Sequence, residues 1–247
     1  MKGIGVRISE VITELKNARW VWLVAAVMLA VQAMVEISGG LNVVAVWYET
    51  FGLRRADVLA GKVWQLVSYA WLHGNVLHAG VNTLGVLLLG ARIVHVAGGR
   101  AFLNVLAAGV LGGASGHLIL AAGGAEAPPL VGMSGAFVAM LLLITTLSPE
   151  SRMMPLPLFG RSLGAGILAA SLLLALMEPT LGVPGFSAVG AWLTARGLGD
   201  WFVIGHACHF GGGMAGWLLG RWMLRPRVSL ARLRRDRARR EARLNDQ

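Results

Sequence analysis

The feature that most constrains this chain is a series of six apolar stretches, at about 19–37, 76–96, 101–122, 130–147, 163–177 and 203–224. A helix needs roughly 20 apolar residues to cross the hydrocarbon core of a bilayer. Hydrophobic residues make up 56% of the chain and charged residues 14%, whereas a soluble domain carries about 25% charged residues. A soluble globule and a disordered chain are both excluded. The sequence predicts an all-α membrane protein that forms a bundle of six transmembrane helices.

The same stretches divide the chain into a segment at 1–18, a six-span core at 19–224 and a basic tail at 225–247. The long first loop, at 38–75, contains Trp47, Trp64 and Trp71 among few charges. Aromatic side chains of this kind favour the boundary between lipid and water. We therefore predict that this loop lies in the membrane interface.

The basic residues predict the orientation of the core. With six spans, only Arg54, Arg55, Lys62 and Arg196 of the 22 Lys and Arg residues fall on the side opposite to the termini. Basic loops stay on the cytoplasmic side. Both termini are expected in the cytoplasm, and the expected location is the cell (inner) membrane.

The net charge of +10 does not indicate nucleic acid as a partner. Much of it is concentrated between Arg221 and Arg243, at and beyond the end of the last apolar stretch. A basic cluster beside a membrane span favours contact with anionic lipids. We expect the bilayer as a partner and no nucleic acid.

A polar side chain inside a span is costly without a partner or a role, and four of those in the predicted spans form a pattern. His78 and Asn82 are four residues apart in the second span and share one helical face. Ser134 opens the fourth span, and His209 lies in the sixth, about two turns from its start. Because spans 2, 4 and 6 run in the same direction, all four side chains are predicted at a similar depth.

Glycines accompany the serine and the second histidine. Gly132 and Gly135 flank Ser134, and Gly212 and Gly216 follow His209 on one face of the sixth span. Small residues at such spacing allow two helices to approach closely. A close approach is required because a serine and its base must come within about 2.6–3.2 Å of each other.

This combination indicates nucleophilic catalysis. An imidazole that takes the proton of Ser134 makes the hydroxyl a usable nucleophile. His78, Asn82 and backbone N–H groups such as that of Ser134 can stabilise the oxyanion that forms. No Asp or Glu occurs in spans 2–6, so a dyad of Ser134 and His209 is the simpler hypothesis. No metal site is predicted, because His206 and His209 alone are too few ligands, and no cofactor is expected.

Three motifs resemble those of the rhomboid family of intramembrane serine proteases. They are Trp64 followed by WLHGNVLHAGVN, the G-x-S-G motif at 132–135, and H-x-x-G-x-x-x-G at 209–216. The resemblance implies that Ser134 is the nucleophile and His209 the general base. It also implies oxyanion roles for His78 and Asn82 and a structural role for His73.

The resemblance further implies cleavage of membrane-spanning protein substrates just inside the outer face of the bilayer. Three positions depart from the family pattern, and one of them is Cys208, which stands before His209 where an alanine is common. Gln65 stands where an arginine is common, and Val138 stands where an aromatic residue often supports the histidine, with Phe137 one position earlier.

Two other functions remain open at this stage. A catalytically silent rhomboid-like protein would bind membrane helices without cutting them, although such proteins commonly lack the serine or the histidine. A small transporter would use the histidines as a proton path, but the sequence shows no second half-repeat of the kind that transporters have.

Overall fold

The fold is helical, as predicted. A computed structural model describes residues 8–38, 41–120, 128–153, 157–226 and 230–245. Its helices, in chain order, are α1 (Ile8–Lys16), α2 (Arg19–Ile37), α3 (Leu41–Phe51), α4 (Arg55–Leu59), α5 (Gln65–Ser68), α6 (Val76–Ala97), α7 (Gly99–Leu120), α8 (Ser134–Leu147), α9 (Gly160–Leu176), α10 (Phe186–Leu193), α11 (His206–Met223) and α12 (Leu230–Asn245). Two short strands, β1 (Arg152–Met153) and β2 (Leu158–Phe159), form an antiparallel hairpin between α8 and α9.

Six of these helices lie at the six apolar stretches, namely α2, α6, α7, α8, α9 and α11. Within the described ranges, α2, α6 and α7 have the length and apolar composition to cross a membrane. The apolar helices α8 and α9 are shorter, with 14 and 17 residues. The chain therefore has the helices of a membrane protein, and three of them qualify as spans by length and composition.

Two predicted boundaries were wrong. The fourth stretch was predicted from residue 130, but α8 begins at Ser134 because Leu130 forms an extended backbone pair with Leu53. The sixth was predicted from residue 203, but α11 begins at His206 after a 3₁₀ turn at Gly199–Val203. His209 consequently lies in the first turn of its helix, and not about two turns from its start as the sequence suggested.

The centre of the bundle is formed by α7, α8 and α11. The helix α11 packs extensively against both α7 and α8. Most of α8 is buried, and Met140 and Leu143 on it are fully enclosed. Around this centre, α6 packs on α2, α7 and α8, and α9 packs on α8 and α11. The two helices that carry Ser134 and His209 are thus packed against each other at the centre of the fold.

The peripheral helices also pack on the bundle or extend from it. The helix α1 lies against α6, where Glu14 and Arg92 form an ion pair at 2.6 Å. The basic tail forms α12, whose side chains are exposed where they are described. Helices α3, α4 and α5 occupy most of the first loop. Its position in the membrane interface stays a prediction, as do the domain limits at 1–18, 19–224 and 225–247.

Candidate active site

Ser134 is the first residue of α8, and the chain before it is held by the first loop. Leu53 and Leu130 exchange backbone hydrogen bonds at 2.9 and 3.0 Å, and the Gly132 N–H donates to the carbonyl of Tyr69 at 3.0 Å. Gly132 itself has φ +120°, which favours glycine because it has no Cβ. This geometry turns the chain sharply, so that the Ser134 hydroxyl lies at the start of the helix.

The structure brings Ser134 and His209 together. The imidazole Nε2 of His209 lies 2.8 Å from the Ser134 Oγ, within hydrogen-bonding distance. Both residues are half-buried, so the pair is enclosed without being sealed from the outside. This distance is the one that proton transfer between a serine and its base requires.

Glycines make this approach possible. A Cβ on Gly212 would collide with the carbonyl of Gly135, and a Cβ on Gly216 would collide with that of Ala139. A Cβ on Gly135 would lie 2.7 Å from the Sγ of Cys208. Because α8 and α11 touch through their backbones at these points, larger residues would separate Ser134 from His209.

His78 and Asn82 converge beside Gly132, two residues before the serine. A Cβ on Gly132 would lie 2.9 Å from the His78 Nε2 and 3.5 Å from the Asn82 Nδ2. The Asn82 Nδ2 is buried and has no hydrogen-bond partner in the described part of the chain. The Nδ1 of His78 lies 3.4 Å from the N–H of Gly74 and accepts from it, which leaves the proton of a neutral ring on Nε2. Two side-chain donors therefore lie next to the chain that leads into Ser134.

The backbone adds further donors. The first N–H groups of a helix have no acceptor within that helix, and those of α8 begin with Ser134. The partial positive charge at the helix start adds to their attraction for an anion. Together with His78 and Asn82, these groups form a candidate site for an oxyanion.

His73 lies outside this donor set and supports the start of α8. Its Nε2 accepts a hydrogen bond of 3.4 Å from the Met133 N–H, and the side chain is fully buried. Burial, with a smaller contribution from the nearby His78 ring, lowers the pKa of His73 to about 4. The neutral ring that results can accept this hydrogen bond.

The ring that adjoins His209 is His206 and not an aromatic residue of α8. The His206 and His209 rings are nearly perpendicular, with centroids 6.0 Å apart. The Nε2 of His206 lies 2.7 Å from the carbonyl oxygen of Trp201, which anchors the ring. Phe137 points elsewhere, since a Cβ on Gly85 of α6 would lie 2.5 Å from its Cδ2. The departure at Val138 therefore leaves His209 with a histidine neighbour.

Gln65, another of the departures, is fully buried in the first loop. Its Oε1 accepts from the Arg54 N–H at 3.1 Å, and its Nε2 donates to Asp57 Oδ2 at 3.0 Å. This hydrogen bond contributes most to lowering the pKa of Asp57. The amide thus cross-links the loop that holds Leu130 in place.

Sequence reasoning missed Tyr69. Its side chain is buried under the site, where the hydroxyl donates to the Val110 carbonyl at 2.8 Å and lies 3.7 Å from the Cys208 Sγ. Its backbone carbonyl also accepts from Gly132. Tyr69 therefore links the first loop, α7 and the residue next to His209. The sequence carries no periodic signal for such a role, because the three contacts come from three separate segments.

The site as described contains no metal centre. No group of three or more His, Cys, Asp or Glu side chains that could hold an ion occurs among the residues that the structure covers. The chemistry that the arrangement supports is that of a hydroxyl beside an imidazole, with donors grouped nearby.

Comparisons with known proteins show what the chain is similar to. A family model described as the rhomboid domain matches residues 60–226, which is more than half of the chain. The chain is also similar to a protein named RHOMBOID-like protein 5 from Arabidopsis thaliana, with 32% identity over 90 residues. That alignment covers 36% of this chain and 28% of the plant protein.

Proposed function

The chain belongs to the rhomboid family, and on that premise we propose that it is an intramembrane serine endopeptidase. The observation that carries this proposal is the distance of 2.8 Å between the His209 Nε2 and the Ser134 Oγ. Its substrates are membrane-spanning proteins, which it cleaves near the outer face of the bilayer.

The reaction begins at this pair. The His209 Nε2 takes the hydroxyl proton while the Ser134 Oγ attacks the carbonyl carbon of the scissile peptide bond. When the tetrahedral intermediate collapses, His209 gives the proton to the leaving amine and an acyl-enzyme remains. A water molecule then loses a proton to His209 and attacks the ester, which releases the acid and restores the Ser134 hydroxyl.

The oxyanion of each tetrahedral intermediate is assigned to the donors beside Gly132. The unpartnered Nδ2 of Asn82 and the Nε2 of His78 supply side-chain donors. The Ser134 N–H at the start of α8 supplies a backbone donor. Preorganised donors of this kind stabilise the charged oxygen of the transition state more strongly than they stabilise the neutral carbonyl oxygen of the substrate.

The membrane setting belongs to the same proposal. The protein lies in the cell (inner) membrane, and both of its termini are in the cytoplasm. Six helices cross the bilayer as spans, namely α2, α6, α7, α8, α9 and α11. The basic tail and α12 then face the cytoplasmic leaflet and its anionic lipids. In this orientation the starts of α6, α8 and α11 lie towards the outer face.

Cleavage of a tagged membrane-spanning reporter in liposomes tests the proposal. Ser134→Ala is expected to abolish the product, because no nucleophile remains. Ser115→Ala is the matched control, since Ser115 is exposed on α7 and its hydroxyl bonds only to the Leu111 carbonyl of its own helix. Persistent cleavage by the Ser134→Ala variant would contradict the proposal. Reporter binding by the unaltered chain without any cleavage would instead favour a catalytically silent protein.

A further inference from the structure

The connector at 177–205, between α9 and α11, contains an apolar helix that the reaction does not use. The sequence of α10 is FSAVGAWL, which includes no charged residue. Its one hydroxyl faces inward, because the Ser187 Oγ donates to the Glu178 carbonyl at 3.0 Å and accepts from the Val183 N–H at 2.9 Å. The helix therefore presents no polar side chain on its outer side.

One side of α10 is closed by the end of α9. Gly190 is buried, and a Cβ there would collide with the carbonyl of Met177, the residue that follows α9. The other side is open, with Val189 exposed by 47% and Trp192 by 53%. Ala188 and Ala191 of the same helix are also exposed. A surface this apolar on a short helix indicates a covering partner.

The surroundings identify that partner. Leu173, one turn before Met177 on α9, is 48% exposed, so apolar surface reaches the end of the helix from which α10 continues. The guanidinium of Arg196 stacks on the Trp192 ring at 3.6 Å, and Trp201 is exposed as well. Tryptophan rings beside a cation are typical of the boundary between headgroups and acyl chains.

We propose that α10 lies in the bilayer interface on the side of the membrane nearest to Ser134 and His209. Its face of Val189 and Trp192 is inserted into the boundary of the headgroups and acyl chains, to the depth of about 5–10 Å that amphipathic helices reach. The partner is the lipid surface itself, and the anchor operates whether or not the chain is a protease.

The anchor has a structural link to the site. The residues between α10 and α11 include Trp201, whose carbonyl lies 2.7 Å from the Nε2 of His206. The His206 ring in turn adjoins that of His209. Insertion of α10 therefore fixes part of the connector in the membrane. Through Trp201, the same connector holds the His206 ring that adjoins His209.

Fluorescence quenching in liposomes tests the anchor. Val189→Cys is labelled with the environment-sensitive fluorophore NBD, and Asp200→Cys, a charged and exposed position of the same connector, is the matched control. The natural Cys208 is fully buried, so the unaltered chain gives the labelling background. The quenchers are iodide in water and a phosphatidylcholine that carries a doxyl group near the headgroup end of its acyl chain.

The NBD group at position 189 is expected to emit at shorter wavelength and to be quenched by the doxyl lipid more than by iodide. The label at position 200 is expected to show the reverse order. Equal exposure of both labels to iodide would overturn the proposal. Protection of position 189 from both quenchers would also overturn it, because a protein surface and not lipid would then cover α10. Neither readout depends on proteolysis, so the outcome is separate from that of the proposed function.

Discussion

The Met133 N–H donates to the Nε2 of His73, so that a residue of the first loop holds the position immediately before Ser134. The ring must be neutral to accept this hydrogen bond. Its burial and its pKa of about 4 meet that condition over the whole neutral range. Protonation of His73 would break this hydrogen bond, so the stability of the start of α8 depends on pH.

The pH dependence has a definite sign. The pKa of His73 is about 4 in the folded chain, below the ordinary value of 6.5, so the unfolded chain binds the proton more readily. The contribution of His73 to the free energy of unfolding is therefore fully present above pH 6.5 and is lost as the pH is lowered towards 4. His73 contributes about 3 kcal/mol to this loss at most.

We predict that His73→Gln makes thermal unfolding in detergent less dependent on pH between 6.5 and 4. Glutamine keeps an acceptor near the position of Nε2 and does not titrate. His95→Gln is the control, since His95 is exposed on α6. An unchanged pH profile in the His73→Gln variant would show that protonation of His73 does not cause the loss of stability at low pH.

The backbone contact of α8 and α11 leads to a second prediction. Gly212→Ala is expected to separate the helices, because the added Cβ meets the Gly135 carbonyl. Overpacking of this kind costs about 1–3 kcal/mol, and cleavage should be lost with it. Gly166→Ala on α9 is the control, since a Cβ there meets nothing within 4 Å. Equal melting temperatures and equal activities for the two variants would contradict the prediction.

Gln65 provides a third prediction. Gln65→Ala leaves the Arg54 N–H without its acceptor inside the first loop. Removing one partner of a buried hydrogen bond costs about 1–3 kcal/mol, and the melting temperature should fall accordingly. Lys62→Ala removes a half-buried ion pair with Asp57, and ion pairs that water still reaches contribute about 0–1 kcal/mol. A lower melting temperature for the lysine variant than for the glutamine variant would contradict this prediction.

A fourth prediction is that His206 positions the ring of His209. His206→Ala removes both the ring beside His209 and the hydrogen bond to the Trp201 carbonyl. We expect kcat to fall by about tenfold, or about 1.4 kcal/mol, with KM little changed. His206→Gln retains a donor near Nε2 and should recover part of the rate. Steady-state cleavage kinetics decide the matter, and a change confined to KM would speak for substrate contact instead.

The sequence predicts that the side chains of the site meet because its signals are local. His78 and Asn82 are spaced on one helical face, and Ser134 and His209 lie within short motifs flanked by glycine. Because successive spans alternate in direction, spans 2, 4 and 6 run the same way, and the four side chains are predicted at a similar depth in the membrane. The contact at 2.8 Å between Ser134 and His209 agrees with that reasoning.

Other features were not predictable because they depend on contacts between distant segments. The apolar run at 130–133 has the hydropathy of a helix, but Leu130 pairs with Leu53 and Gly132 has a positive φ, so the helix begins only at Ser134. Tyr69 and Gln65 act through backbone groups, whose partners leave no pattern in the sequence. The apolar helix α10 was missed because eight residues within a loop are too few for a periodic signal.

The pairing of Ser134 with His209 is best examined by reaction of the purified chain with a fluorophosphonate, followed by mass spectrometry of the labelled peptide. We expect one adduct on the Oγ of Ser134, and its loss in the His209→Ala variant despite an unchanged melting profile. An intact, folded chain that gives no adduct at Ser134 in lipid, or an adduct that forms as fast without His209, would contradict it.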